Sequence, residues 1–206
     1  MSSTTIITGE ESPAHEAEIE QIHADAFGPG RFARAAFRIR EGGPHDRRLS
    51  RVATLDGKVI ASVRMTPVMI GQTPALLLGP LAVRPEHMNK GIGRGLMREC
   101  LNLAHAQGHR LVMLVGDEPY YGPFGFRPAP IGSIQFPAPV DQRRILLSEL
   151  KGGAAEGVSG LVRHAGLAAR GHGRCFSRFA GGAPRFRHPP SFVIPESRSD
   201  IRNPCL

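Results

Sequence analysis

The order of segments predicts an α/β fold, a mixed central sheet flanked by helices. Three observations carry it: a hairpin of apolar segments precedes a long apolar strand; that strand runs into a glycine-rich turn and an amphipathic helix; and a short apolar segment, Leu111 to Val115, follows. Strands followed by strand–helix–strand–helix is the order of a sandwich built on a mixed sheet. At 206 residues and 41% hydrophobic content, the chain can bury one core and carry an appendage.

Each element has a local reason. Ser12-Pro13 reads as an N-cap and first helical residue, with Glu16 and Glu18 placed to meet the helix dipole. Ile19, Ile22, Ala26 and Phe27 recur at helical spacing, and Gly28-Pro-Gly30 ends that helix. Phe32, Ala35, Ala36 and Ile39 predict a short second helix within Arg31 to Arg40, closed by the turn cluster Glu41 to Asp46. Leu49 to Leu55 and Lys58 to Ile70 are strand-like and joined by Asp56-Gly57, a two-residue hairpin signal. Gln72-Thr-Pro74 turns into the apolar strand Ala75 to Val83. The helix after the glycines places Ile92, Leu96, Cys100, Leu103 and Ala104 on one face, and Gly108 stands where a C-terminal cap belongs. Leu111 to Val115 is apolar throughout, as a strand inside a sheet requires. Ile134 to Phe136, Ile145 to Leu150 and Val158 to Val162 read as later short strands around a glycine-rich loop, Lys151 to Gly160. From about Ala165 the composition turns to Gly, Pro and Arg. Residues 1–164 are therefore expected to form the domain and 165–206 a basic extension, disordered or draped over it.

Composition excludes several classes. No apolar run is long enough to span a bilayer, so no membrane partner is expected. The first residues lack the basic-then-apolar order of a secretory signal. Cys100, Cys175 and Cys205 stand too far apart for a disulfide framework or a zinc motif, so a cytoplasmic setting and no metal are expected. His105 and His109 have helical spacing, but Gly108 interrupts them. The net charge of +8 suits either an anionic partner or simple solubility. In the tail, Phe176, Phe179, Phe186 and Phe192 interleave with arginines; stacking on nucleic acid and docking back onto the domain are both readings, with nucleic acid the less favoured. The oligomeric state is open, a homodimer included.

The chemistry concentrates in two runs. In the first, Gly91 and Gly93 remove side chains where the chain bends into a helix, so backbone N–H groups converge as a pyrophosphate requires. Lys90 and Arg94 can add phosphate contacts, and Gly95 permits close helix packing. Taken alone, such a turn is equally often structural. The full dinucleotide fingerprint and a Gly-Lys-Ser/Thr ending are both absent. The second run, Leu114-Val-Gly-Asp-Glu-Pro-Tyr-Tyr121-Gly-Pro-Phe-Gly125-Phe126, holds both tyrosines of the chain.

These runs resemble the acyl-CoA-dependent N-acetyltransferases of the GNAT superfamily, and the second resembles its YhbS-like subgroup. The resemblance covers roughly residues 5 to 160. Met88-Asn-Lys-Gly91-Ile-Gly93 matches the family's Gln/Arg-x-x-Gly-x-Gly/Ala turn, with Met88 where Gln or Arg is usual. Tyr121 to Phe126 matches Tyr-x-x-x-Gly-Phe. The resemblance implies a mostly antiparallel sheet, splayed at the acyl-CoA site, and transfer of an acetyl group from acetyl-CoA to an amine acceptor by direct attack. It implies that Leu81, Ala82 and Val83 pair with the pantetheine arm, the Leu81 amide polarising the thioester; Gly79-Pro80, unable to continue a regular ladder, would mark a bulge there. It implies a pyrophosphate held by Met88, Asn89, Lys90, Gly91, Ile92, Gly93, Arg94 and Gly95. Tyr121 becomes the general acid for the departing thiolate and Tyr120 its neighbour at the cofactor, packing being the alternative for both. For the general base, Glu41, Asp46, Glu86, His87, Asp117 and Glu118 qualify by position. Asp117 is preferred, with helix capping as its other reading. A domain that binds acyl-CoA without transfer is the competing function.

Overall fold

The computed structural model describes residues 5–30 and 34–168. The predicted extension, apart from its first four residues, lies outside them, as do Cys175, Cys205 and the four tail phenylalanines.

The sheet grows around one long strand. β2 (Arg51–Leu55) and β3 (Lys58–Ile70) form the expected hairpin, with Asp56 and Gly57 at φ 50° and 78°. Both angles lie in the region a two-residue primed turn demands. β1 (Ile6–Glu10) pairs antiparallel with β2 at the sheet edge. β4 (Thr73–Val83) pairs antiparallel with β3, and β5 (Leu111–Val115) lies parallel to β4. β8 (Ile145–Glu149) pairs antiparallel with β5, and β6 (Arg127–Pro128) with β8. β9 (Gly160–His164) pairs with the far end of β3 and with β7 (Ile134–Gln135). The sheet is thus mixed and mostly antiparallel, as expected.

Successive strand residues point to opposite faces, and the helices use both. α3 (Ile92–Ala106) buries Ile92, Leu96, Met97, Cys100, Leu101 and Ala104 against one face, among them Ala53, Val63, Met65 and Leu81. Burial pushes the Cys100 thiol up to about 12, so it stays protonated and inert at neutral pH. α1 (Glu16–Phe27) sets Ile19 and Ile22 on the other face against Val52, Val59 and Ala82. α2 (Ala35–Arg40) buries Ile39 in a second cluster with Val68, Ile70 and Leu77. α4 (Glu118–Tyr121) and α5 (Ala165–Ala168) are single turns.

Two departures from the expected elements have physical causes. β1 was not expected from the sequence, because it is a five-residue edge strand whose Ile7 is exposed; its pairing with β2 defines it. The first helix begins with a single 3-10 turn, Pro13–His15, before α1. The Ser12 amide there donates to His15 Nδ1 at 3.2 Å.

Candidate active site

The site starts from a failure of pairing. β4 and β5 are in register only at Leu76–Val112 and Leu77–Met113. Beyond those pairs the two strands run on to Val83 and Val115 without a shared ladder. The β3–β4 register slips between Val63 and Met65, opposite Leu81 and Leu78, so β4 carries one extra residue at Gly79-Pro80. Gly79 has φ 112° and the Gly79–Pro80 peptide is cis. The expected bulge is therefore present, and it sits where β4 leaves β5. Leu81 and Ala82 are buried beyond it.

The glycine-rich turn follows directly. Gly91 adopts φ 78° as N-cap of α3, a conformation a side chain would strain. The first i→i−4 bond of α3 runs from Gly95 N–H to Gly91 O at 2.9 Å, so the Ile92, Gly93 and Arg94 amides precede the helix ladder. A Cβ on Gly93 would sit 3.3 Å from Val83 Cγ2, 3.7 Å from Leu81 Cδ1 and 3.7 Å from the Tyr120 hydroxyl. Gly93 is thus the meeting point of the turn, the end of β4 and α4. Asn89 (φ 61°) and Lys90 are exposed beside it, and the Arg94 guanidinium lies 5.7 Å from the Tyr120 ring centroid. Met88 is extended and half-buried. An anion cradle of amides with adjacent cations fits a pyrophosphate, and a side chain at Gly93 would fill it.

The two tyrosines divide. Tyr120 turns its hydroxyl toward Gly93, on the turn side. Tyr121 is buried, packs edge-on against Tyr120 and Phe126, and lies so close to Gly116 that a Cβ there would overlap its ring.

A cavity of about 610 Å³ opens from the divergence of the strands. Leu78 to Leu81 of β4 and Leu114 to Gly116 at the end of β5 form one part of its wall, with Tyr121 among them. α1, α2 and β3 form another part, contributing Glu20, His23, Arg40, Arg64 and Thr66; the loop after α2 adds Glu41 and His45. None of residues 88–95 lines it. The turn therefore lies outside this cavity's lining, next to the end of β4.

The polar wall is organised around Arg64. Its Nη2 donates to Glu11 Oε1 at 2.9 Å and to Glu16 Oε1 at 2.8 Å, and its Nη1 to Glu20 Oε1 at 3.2 Å. Glu11, whose side chain is fully buried, also meets His45 Nε2 at 2.9 Å. His23, buried on α1, meets Ser62 Oγ at 3.1 Å and lies 3.8 Å from Glu20. Burial alone would raise the Glu11 pKa, but hydrogen bonds and charge from His45 and Arg64 outweigh it and lower the pKa. His23, 3.8 Å away, and then Arg64, against burial, lower Glu20 to about 2. Burial lowers His23.

All three shifts lie below the ordinary values of 4.5 for Glu and 6.5 for His, so the unfolded chain takes up protons first on acidification. Stability is then full at neutral pH. It falls below about pH 6.5 through His23 and again below about pH 4.5 through Glu11 and Glu20. Thermal unfolding from pH 8 to pH 3 is expected to give a Tm that declines in these two stages, with Glu11→Gln flattening the lower one. A Tm constant down to pH 3 would contradict the cluster.

Of the carboxylates considered as base from sequence, only Glu41 reaches the cavity wall. Asp117 stands at the end of β5 as expected, but its carboxylate is held by Arg144, with Arg144 Nε 3.1 Å from Oδ1, and Asp117 is not among the lining residues. Nor does its side chain cap α4; its backbone carbonyl accepts from the Tyr120 and Tyr121 amides instead. The Glu11–His45 pair was not visible in the sequence, because its members lie 34 residues apart on unrelated loops. The alternation of Ser62, Arg64 and Thr66 with buried Val63 and Met65 was the available signal: polar residues at period two in an apolar strand mark a polar interior face. Among the described residues, no group of three His, Cys, Asp or Glu could hold a metal, and no helix is long and apolar enough to cross a membrane.

Comparison with known proteins agrees with this geometry. A family model described as an acetyltransferase (GNAT) domain matches residues 46–128, which span β2 to β6. The uncharacterized N-acetyltransferase YhbS of Escherichia coli K12 is 32% identical over 119 residues, covering 56% of this chain and 71% of that protein. YjhQ of the same organism, also an uncharacterized N-acetyltransferase, is 29% identical over 126 residues, covering 59% and 69%. The crystal structure of E. coli YhbS in complex with CoA superimposes with a TM-score of 0.68 at 26% identity, covering 80% of this chain and 92% of that one. A GNAT family acetyltransferase from Brucella melitensis in complex with acetyl-CoA gives 0.59 at 27% identity, covering 79% and 97%. The splayed parallel pair, the glycine turn after it and the two sequence relatives converge: the chain belongs to the GNAT N-acetyltransferase family and is an acyltransferase.

Proposed function

We propose that the protein transfers an acetyl group from acetyl-CoA to the amine of a small molecule or protein bound in the cavity. The observation that carries the reading is that the diverging ends of β4 and β5, with Tyr121 among them, form a wall of that cavity. Acetyl-CoA would supply the acyl group activated as a thioester, as the CoA and acetyl-CoA complexes of the structural neighbours suggest.

The chain's own residues then have distinct tasks. Ile92, Gly93 and Arg94 amides, with Gly91 shaping the turn and Lys90 and Arg94 adding charge, bind the pyrophosphate. Met88, Asn89 and Gly95 flank that turn, and the Tyr120 hydroxyl borders it. Leu81, Ala82 and Val83 present strand backbone to the pantetheine arm, and the Leu81 amide polarises the acyl carbonyl. Tyr121 holds a phenolic proton at the cavity wall for the departing thiolate; a phenol with an ordinary pKa of about 10 keeps that proton at neutral pH.

For the base, His45 replaces Asp117 as the better candidate. In the tautomer that donates Nε2–H to Glu11, Nδ1 carries the lone pair, and Glu11 orients the ring. Asp117 then positions Arg144 at the cavity wall.

Steady-state kinetics over an amine panel test the assignment. Tyr121→Phe is expected to lower kcat by about 100-fold with KM for acetyl-CoA within about threefold, since only the transition state uses the proton. Tyr120→Phe is expected to act mainly on KM. A wild-type kcat for Tyr121→Phe across the pH range removes Tyr121 from the chemistry. Tight acetyl-CoA binding with no turnover on any amine would instead favour an acyl-CoA-binding module.

A further inference from the structure

We propose that the cavity selects amine acceptors that also carry a carboxylate, received by the Arg40 guanidinium, with the Thr66 hydroxyl lining the same cavity. The inference rests on the acetyl-transfer reading and names the substrate class of that site.

Arg40 ends α2 and lines the cavity. A Cβ on Gly79 would lie 3.4 Å from its Nη2, so the guanidinium rests against the bulge of β4 where the strands part. Its Nε is buried without a hydrogen-bond partner. Among the described residues, none forms an ion pair with Arg40, and every other arginine of the wall is engaged. Arg64 is held by Glu11, Glu16 and Glu20, Arg144 by Asp117, and Arg34 lies over the Phe27 ring. The cavity carboxylates are likewise committed: Glu20 to Arg64, Glu41 to Arg38, and Asp141 to the Arg143 amide. Burial, and then the like charge of Arg64, lower the proton affinity of Arg40 to about 9, so at neutral pH it remains a cation. Thr66 is fully buried on β3, lines the same cavity, and its Oγ1 also has no hydrogen-bond partner.

A half-buried guanidinium whose Nε is buried without a hydrogen bond, and a buried hydroxyl likewise unpaired, are completed by a ligand that accepts from both. The guanidinium fork matches the two oxygens of a carboxylate, and a hydroxyl adds one further donor. The cofactor's pyrophosphate is not that anion, because the α3 turn lies outside the cavity. The other anion that could reach Arg40 is the transient oxyanion of acyl transfer, and the two make different predictions. A carboxylate receptor discriminates between acceptors, whereas an oxyanion donor acts on all of them equally.

The experiment compares β-alanine and 4-aminobutyrate with their carboxamides on the full chain. The wild-type protein and Arg40→Met, Arg40→Lys and Thr66→Val are compared by thermal shift and by acetyl transfer. The wild type is expected to bind and acetylate the acids at least about tenfold better than the amides. Arg40→Met is expected to bring that ratio to about one, Arg40→Lys to keep part of it, and Thr66→Val, matched in shape, to reduce it a few-fold. The Tm without ligand reports folding, and Thr66→Val keeps the test alive if Arg40→Met does not fold. A wild-type ratio near one, an unchanged ratio in Arg40→Met, or an equal loss of kcat on acids and amides would overturn the proposal. Arg40-dependent binding of acids without any transfer would uphold the receptor and reject the acetyl-transfer reading. Transfer indifferent to the carboxylate would do the reverse.

Discussion

Gly93→Glu is expected to abolish acetyl-CoA binding while the protein stays folded. Gly93 is the point where the α3 turn, the end of β4 and the Tyr120 hydroxyl come within 3.3 to 3.7 Å of a Cβ that is not there. A glutamate would carry a full side chain outward from that buried contact toward the turn. It would also set a negative charge where the turn amides would receive the proposed pyrophosphate. Like charges juxtaposed at such a site cost several kcal/mol, so a loss of at least about 100-fold in affinity is expected. Calorimetry with acetyl-CoA measures it, and the Tm of the unliganded variant separates lost binding from lost structure. Gly93→Ala is the control: its Cβ asks only Val83 Cγ2 to give by a few tenths of an ångström, so binding should survive. Micromolar binding retained in Gly93→Glu would move the pyrophosphate away from this turn.

The largest effect on stability is expected from Arg64→Met. Arg64 is nearly buried and ties Glu11 of the loop after β1, and Glu16 and Glu20 of α1, to the centre of β3. Removing it leaves the Glu11 carboxylate, fully buried, with only His45. Breaking a buried pair from one side costs about 3–5 kcal/mol, because the surviving charge stays desolvated. Glu16 and Glu20 are half exposed and add little, since water screens them. Denaturant titration at pH 7 measures the loss. The double variant Arg64→Met, Glu11→Gln should recover part of it by removing the stranded charge. A loss below about 1 kcal/mol would mean that water reaches the Glu11 carboxylate in the folded protein.

The elements that were legible in the sequence share a property: their cause is local. Asp56-Gly57 adopts positive φ at both residues because no longer-range contact is needed to favour that turn. Gly91 caps α3 for the same reason, and the apolar face of α3 and the apolar run of β5 carry their burial in their own periodicity. The glycine turn and the Tyr-x-x-x-Gly-Phe run were recognisable because a backbone shape written by neighbouring residues survives as a motif. The bulge at Gly79-Pro80 was readable because proline cannot donate to a ladder.

The rest depended on tertiary structure. β1 is a strand only because β2 pairs with it. Asp117 was preferred to Glu41 as base until the fold placed Glu41 on the cavity wall and gave Asp117 to Arg144. Glu11, Arg40, His45, Arg64 and Thr66 come from the loop after β1, α2, the loop after α2, and β3, and each reads alone as an ordinary polar residue. The sequence by itself determined the family, the glycine turn and the tyrosine pair, because a turn of consecutive backbone amides is written by neighbouring residues. Only the tertiary structure decided which charges face the cavity and which are spent on one another, because burial and ion pairing between distant segments exist only once the chain is packed.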